Sequence, residues 1–114
     1  MNPLPRRGDV WLADLNPVRG HEQAGRRPVV VLSVDDYNHG PAGLTVVLPI
    51  TSTDRRIPLH IPLKAGEGGV KTPSFIMCDA IRSISSDRLL KPWGRVPSRV
   101  MRQVEDKVAI LLGL

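Results

Sequence analysis

The spacing of hydrophobic and polar residues changes near the C-terminus of this sequence. Before residue 97, apolar residues form short runs or alternate with polar ones, and prolines and glycines separate them, which is typical of short β-strands. Beyond it, apolar residues recur at helical spacing on one side, opposite Arg99, Arg102, Gln103 and Asp106. The pattern predicts a mainly β fold, a small curved barrel of five or six strands, with a C-terminal helix.

The predicted strands differ in their expected burial. Pro28–Val34 is a continuous apolar, β-branched run, which predicts a strand buried on both faces. Arg56–Leu63 alternates but contains two prolines, so we expect an edge strand at best. Pro49 cannot donate to a ladder and marks an edge or a bulge. The other predicted strands are Val10–Leu15, Leu44–Thr51, Ser74–Ile84 with a bend near Asp79-Ala80, and Trp93–Val96.

The C-terminal helix is expected to begin at Ser98, whose hydroxyl can cap it, directly after Pro97. Its apolar side should cover a sheet face and comprises Val100, Met101, Val104, Val108, Leu111 and Leu112. A shorter turn is expected from Ser86-Asp87. Two polar loops stand out, Asn16–Arg26 and Val34–Gly43, and the first is long for a hairpin connection.

Length and composition favour one domain spanning residues 1–114. The chain is 41% hydrophobic and 24% charged, as in ordinary globular proteins. Its uninterrupted apolar runs, such as Val29–Leu32, are far below the roughly 18 residues of a membrane span. The first residues lack the apolar core of a secretory signal, so we expect a cytoplasmic protein. The single Cys78 excludes an internal disulfide and is expected to be a buried structural thiol.

The charge balance favours a polyanionic partner. The net charge is +5, with a pI near 10.1, and arginine accounts for 12 of the 16 basic residues. The arginine fork matches phosphate geometry, although such a charge also serves solubility. Only four aromatic residues occur, too few for the stacking platform of common RNA-binding modules. If RNA is bound, phosphate contacts and polar groups should supply most of the affinity.

The first loop concentrates reactive side chains just before the buried strand. It contains His21, Glu22, Gln23, Arg26 and Arg27. An arginine held against a rigid strand can present its guanidinium to a phosphate at little cost in ordering. A solvated loop without chemistry is the alternative.

Several blocks of sequence together resemble the MazF/PemK/Kid toxin family. Their order and spacing match over nearly the whole chain. The blocks are Arg7-Gly8-Asp9-Val10-Trp11, Asn16-Pro17, Gly20-His21-Glu22-Gln23-x-Gly25-x-Arg27-Pro28-x-x-Val31, Asn38, Pro49-Ile50-Thr51-Ser52, Cys78-Asp79-x-x-Arg82-Ser83-Ile84, Arg88-Leu89 and Gly94-x-Val96-Pro97.

The resemblance implies an SH3-like barrel of the CcdB/MazF type and a metal-independent endoribonuclease without a cofactor. Such toxins act as homodimers, and a cognate MazE-like antitoxin with a disordered tail neutralises them. They cut single-stranded RNA to leave a 2′,3′-cyclic phosphate and a 5′-hydroxyl. Independently, the three histidines at positions 21, 39 and 60 are not at metal-ligand spacing.

By resemblance, Arg27 and Thr51 are the first candidates for catalysis. Arg27 would clamp the scissile phosphate, since a guanidinium keeps its proton at neutral pH and is a poor general acid. The Thr51 hydroxyl would donate to a non-bridging oxygen. The RNA-binding candidates are Ser52, Gln23, Arg26 and Arg82. As an alternative, Thr51 is an ordinary β-branched strand residue.

Three residues compete for the role of general base, namely Asp79, Glu22 and His21. Asp79 matches the carboxylate proposed for that role in the Kid branch, and an imidazole suits proton transfer at neutral pH. His21 and Glu22 can instead hold the loop shut, and Asp79 can instead pair with Arg82.

One position departs from the Kid branch, which carries an arginine, assigned as the acid, two residues before the matched carboxylate. Here it is Met77, which cannot donate a proton. This departure leaves open an inactive RNA-binding SH3-like module. A CcdB-like toxin, which shares the barrel and inhibits gyrase by binding it, is the other alternative.

Overall fold

The computed structural model describes residues 4–16 and 25–114. Within them, the strands are β1 (Asp9–Asp14), β2 (Arg26–Val31), β3 (Leu44–Thr51), β4 (His60–Leu63), β5 (Ser74–Met77), β6 (Arg82–Ser85) and β7 (Leu89–Arg95). The helices are α1 (Asp35–Asn38) and α2 (Ser98–Leu112), with 3₁₀ turns at Glu67–Gly69 and Ser86–Arg88. The predicted fold class, mainly β with a C-terminal helix, is confirmed.

All the strand pairs in the described chain are antiparallel, and the strands follow the order β4-β5-β3-β2-β1-β7. The sixth strand, β6, adds to β3 as well. β4 ends this path and pairs with β5 alone, so the prediction of an edge strand within Arg56–Leu63 is confirmed. β2 and β3 lie centrally, and their ends shape the site described below.

The single strand predicted over Ser74–Ile84 is two strands, β5 and β6, and the bend predicted near Asp79-Ala80 is the turn that separates them. β5 pairs with β3 at Ile50 and Thr51, whereas β6 pairs with its first half, from Leu44 to Val47. A turn between them, closed by the Ala80 N–H donating to the Met77 carbonyl over 3.0 Å, breaks the strand. The residues of this turn cannot pair within one continuous strand ladder. Pro49, predicted to mark an edge or a bulge, lies in β3 between the residues that pair with β6 and those that pair with β5.

Two apolar cores lie on opposite faces of the central strands. The first contains residues from most strands and the helix, including Val30, Leu48 and Val104. The second contains Val29 and Val31 with Trp11 and its neighbours. Alternate residues of β2 therefore face different cores. The prediction of a strand buried on both faces is confirmed for Val29–Val31, but the strand ends there and Val34 is exposed.

The C-terminal helix covers the first core with Val100, Val104 and Val108. Two details of the prediction were wrong. The helix begins at Ser98 as predicted, but Pro97 occupies the N-cap position and no side-chain hydrogen bond caps this end. Leu111 and Leu112 are exposed rather than packed. Neither helix in the described ranges is long and apolar enough to span a membrane.

Three further local predictions are compared with the structure as follows. The turn expected at Ser86-Asp87 is present as a 3₁₀ turn. The expected loop Val34–Gly43 contains the single turn of α1, with Asn38 buried. β7 begins earlier than the predicted Trp93–Val96, because its first half pairs with β1.

Candidate active site

A cavity of about 230 Å³ opens where β2 begins and β3 ends. Two other segments complete its walls, the stretch between the Glu67–Gly69 turn and β5, and the middle of β7. The lining residues are Arg26, Arg27, Pro28, Ile50, Thr51, Ser52, Val70, Lys71, Thr72, Ser74 and Trp93. The cavity therefore contains four residues predicted from the sequence, Arg26, Arg27, Thr51 and Ser52.

Strand pairing explains why Arg27 and Thr51 line one cavity. The β2–β3 ladder ends with the pair of Val29 and Pro49. Arg27 lies two residues before Val29 in β2, and Thr51 lies two residues after Pro49 in β3. Because the two strands are antiparallel, both residues lie at the same end of the sheet, where the cavity opens.

The Thr51 side chain is held in a defined state. Only 4% of the residue is exposed, and its Oγ1 accepts a hydrogen bond from the backbone N–H of Thr53 over 3.2 Å. Because the oxygen already accepts, the hydroxyl proton is available for another acceptor. Ser52, next to it, is exposed at the cavity rim.

The electrostatics of the cavity favour an anion. Three cationic residues line it, the half-buried Arg27 and the exposed Arg26 and Lys71. No carboxylate is among the described lining residues. A phosphate there would meet guanidinium donors and a hydroxyl donor together, an arrangement that stabilises negative charge.

Three of the predicted site residues, His21, Glu22 and Gln23, lie outside the described residues. They belong to the segment 17–24, which directly precedes Gly25 and β2. Their predicted roles stay predictions.

Asp79 and Arg82 are not among the residues that line this cavity. Asp79 follows β5, in the turn that separates it from β6, and its Oδ1 lies 2.9 Å from Nε2 of His60. Asp79 thus has His60 as an ion-pair partner, and its predicted alternative pairing with Arg82 stays a prediction. Arg82 is half-buried in β6, opposite Val47.

Met77 and Cys78 both point into packed surroundings. Met77 is buried at the end of β5, so the departure from the Kid-branch arginine leaves an apolar side chain there. Cys78 is fully buried, as predicted. Burial, helped by the neighbouring Asp79 charge and opposed by Lys107, raises the pKa of the Cys78 thiol to about 12. The thiol is therefore neutral and unreactive at physiological pH.

Two lining residues, Lys71 and Trp93, were not predicted as site residues. Lys71 follows a Gly-rich turn that matches no motif, and Trp93 was assigned only to a short strand. The one available signal was the basic character of the chain. Groups of side chains suited to hold a metal ion are absent from the described part of the chain.

The fold and the site define a small antiparallel β-protein with a cationic cavity that suits a phosphodiester, and known proteins are similar to it in sequence and fold. The chain is 35% identical to endoribonuclease MazF9 of Mycobacterium tuberculosis, covering 97% of this chain and 98% of that one. It is 34% identical to endoribonuclease MazF of Staphylococcus saprophyticus, covering 97% and 93%.

Solved structures agree. A crystal structure of MazF from Deinococcus radiodurans has a TM-score of 0.88 and 32% identity, covering 99% of this chain and 100% of that one. A MazE–MazF structure from the same organism has a TM-score of 0.82 and 33% identity, covering 99% of each chain. The model of the PemK-like, MazF-like toxins of type II toxin–antitoxin systems matches residues 6–112. The chain belongs to this toxin family.

Proposed function

We propose that this protein is an endoribonuclease toxin that cleaves single-stranded RNA without a metal ion. The observation that carries the proposal is that Arg27 and Thr51 line one cavity with two further cations and no described carboxylate. The relatives named as MazF endoribonucleases support the reaction class. The structure of a MazE–MazF complex supports an antitoxin as partner.

The proposed reaction is an internal transesterification. A base removes the proton of the ribose 2′-hydroxyl, and the 2′-oxygen forms a bond to the neighbouring phosphorus. The bond between phosphorus and the 5′-oxygen breaks, and that oxygen takes a proton from an acid. The products are a 2′,3′-cyclic phosphate and a 5′-hydroxyl.

Arg27 and Thr51 stabilise charge in this reaction. Negative charge builds on the non-bridging oxygens as the 2′-oxygen attacks. The Arg27 guanidinium supplies a cation with several donors, and the Thr51 hydroxyl supplies one more. A permanent guanidinium charge takes the electrostatic role that a metal ion has in other nucleases. Arg26 and Ser52 at the rim bind the adjoining backbone.

We assign proton transfer to Glu22 and His21. The Asp79 carboxylate accepts a hydrogen bond from His60 and does not line the cavity, whereas Glu22 and His21 directly precede the strand that carries Arg27. An imidazole and a carboxylate are the usual groups for moving protons at neutral pH. Separate pH–rate profiles of Glu22→Gln and His21→Asn show which limb each residue controls.

The remaining parts of the proposal concern assembly. We treat residues 1–114 as one toxin domain that acts as a homodimer in the cytoplasm, where messenger RNA is accessible. A MazE-like antitoxin would cover the RNA-binding surface. Analytical ultracentrifugation of the purified protein measures the oligomeric state, and a purified cognate antitoxin should abolish cleavage at equimolar concentration.

The decisive experiment digests a defined transcript with purified protein in EDTA and maps the 5′-hydroxyl ends. Wild type should cut at a short recurring sequence, and Arg27→Ala should lose at least about 100-fold in rate, as expected for a group that stabilises the transition state. Arg102→Ala is the matched control, since Arg102 is exposed on α2 and lines a different cavity.

Each contrary result points to a different function. A requirement for added Mg²⁺ would contradict the mechanism. Inhibition of gyrase supercoiling without RNA cleavage would indicate the CcdB-like alternative. Binding of RNA without cleavage would indicate the inactive module.

A further inference from the structure

A second cavity adjoins the first and shares two residues with it. This cavity has a volume of about 450 Å³ and is lined by Leu12, Gly69, Lys71, Lys91, Pro92 and Trp93. Lys71 and Trp93 also line the Arg27–Thr51 cavity. Trp93 therefore stands at the boundary between the two cavities, with Lys71 beside both.

We propose that Trp93, Lys71 and Lys91 form a flanking-nucleotide subsite, in which a base next to the scissile phosphate stacks on the indole and the two lysines contact the backbone. The inference rests on the proposed nuclease function and deepens it. Its occupant is single-stranded RNA that continues out of the catalytic cavity.

A β-bulge presents Trp93 to this position. In the β1–β7 ladder, Val10 pairs with Gly94 and Trp11 pairs with Pro92, so Trp93 is the extra residue between two consecutive pairs. A bulge redirects the side chain of its extra residue and commonly occurs near active sites. Trp93 is half-buried against the first core, so the ring has a packed backing while it lines both cavities.

The backbone at Trp93 is held by a close approach that needs glycine. A Cβ on Gly69, whose φ is +83°, would lie 2.5 Å from the Trp93 carbonyl oxygen. The turn that carries Gly69 is anchored in its own right, since the Glu67 carboxylate accepts a hydrogen bond from Arg99 and another from the Lys64 N–H. An aromatic ring on a fixed backbone loses little entropy when a base stacks on it.

The charge around Trp93 matches RNA. Lys71 and Lys91 are both exposed, and the described lining of the second cavity has no carboxylate. Stacking on an aromatic ring combined with cations along the backbone is the general way that proteins bind single-stranded nucleic acid. The continuity with the cationic catalytic cavity favours RNA over a peptide as the occupant.

The binding test uses tryptophan fluorescence and an RNA that cannot be cut. The RNA spans the mapped cleavage site and carries a 2′-deoxynucleotide at the attacking position, which removes the nucleophile. Wild type should show quenching on binding. Trp93→Phe should show almost none, because the remaining Trp11 is only 5% exposed. Quenching that persists in Trp93→Phe would overturn the proposal.

The kinetic test separates subsite binding from catalysis. Trp93→Leu keeps an apolar side chain against the core and removes the large ring. With a long substrate, KM should rise about tenfold or more, as expected for the loss of one stacked base, while kcat should stay within about twofold. With a minimal RNA that lacks flanking nucleotides, wild type and Trp93→Leu should have equal KM. Equal KM for the long substrate would overturn the proposal.

The lysines are tested by the salt dependence of binding. Lys71→Gln and Lys91→Gln should each lower the slope of log Kd against log salt by about 0.7, the value for one contact to a single-stranded phosphate. Lys64→Gln is the matched control, since Lys64 is exposed and lines neither cavity. If all three variants gave the same slope, Lys71 and Lys91 would not belong to the subsite.

The two proposals fail in different ways. If wild type does not cut RNA in EDTA, the proposed function fails. If wild type cuts RNA while the Trp93 variants match it in quenching and in KM, the flanking subsite alone fails. Circular dichroism of each variant establishes that it is folded.

Discussion

The imidazole of His60 donates from Nε2 to the Asp79 carboxylate across 2.9 Å, and this hydrogen bond joins β4 to the turn after β5. The His60 side chain is 2% exposed and that of Asp79 is 34% exposed. In the described surroundings, His60 Nδ1 is buried and has no hydrogen-bond partner. Within the described residues, the His60 ring therefore has Asp79 as its hydrogen-bond partner.

This pairing predicts that Asp79 stabilises the fold more than it serves catalysis. Asp79→Ala should lower the free energy of unfolding by about 1–3 kcal/mol, because it leaves a buried imidazole donor without an acceptor. Asp79→Asn can still accept through its amide oxygen and should cost less. Urea denaturation measures both. A loss of cleavage above about 100-fold in a stable Asp79→Asn protein would instead make Asp79 the general base.

Thr51 should act through its hydroxyl alone. Thr51→Val keeps the shape of the side chain and removes the donor, and kcat should fall about 100-fold with little change in KM. Thr51→Ser should keep most of the activity. Thermal melting is the necessary companion measurement, because Thr51 Oγ1 also accepts from the Thr53 N–H. Equal activity of the valine and threonine proteins would exclude the hydroxyl from the reaction.

Gly69 should be far less tolerant of alanine than Gly43. Both have positive φ, +83° and +69°, but a Cβ on Gly43 meets nothing within 4 Å, whereas one on Gly69 meets the Trp93 carbonyl. Gly43→Ala should cost about 1 kcal/mol from backbone strain. Gly69→Ala should cost about 1–3 kcal/mol more from the clash. Urea denaturation of both variants separates the steric cost at Gly69 from the backbone strain that both share. Equal losses of unfolding free energy would mean that the Trp93 carbonyl moves away from the new Cβ at little cost.

Cys78 should make the fold less stable at alkaline pH. Its pKa rises from 9.0 to about 12 in the folded protein, so the unfolded chain loses this proton first. The unfolded state then binds fewer protons, and the free energy of unfolding falls as pH rises from about 9 to about 12, by up to about 1.4 kcal/mol per unit. Cys78→Ala should lack this component.

The alkaline test compares the two proteins at matched pH, so that effects of pH common to both cancel. Urea midpoints at pH 8 and pH 10.5 give the difference. Parallel curves would show that the thiol ionises as readily in the fold as in the unfolded chain. Alkylation of Cys78 at pH 8 should likewise be slow until urea is added.

The sequence predicted elements well where local signals were strong. The apolar run at Val29–Val31 indicated a doubly buried strand, and helical spacing from Val100 to Val108 indicated α2. It failed where long-range pairing decides. Ser74–Ile84 has the propensity of one strand, but its two halves pair with different parts of β3. Leu111 and Leu112 continue the helical pattern beyond the sheet that the helix covers.

The sequence determined the residue types of the candidate site. Arg27 lies near the start of a buried strand and Thr51 lies at the end of another, and both are visible as parts of motifs. Only the tertiary structure decided which of the described residues share a cavity. Antiparallel pairing brought Arg27 and Thr51 to the same end of the sheet, and a bulge placed Trp93 in the lining of their cavity. The turn between β5 and β6 placed Asp79 beside His60. The reason is physical. Periodicity along a chain reports which face a residue occupies, whereas register, bulges and breaks depend on contacts between strands that are distant in sequence.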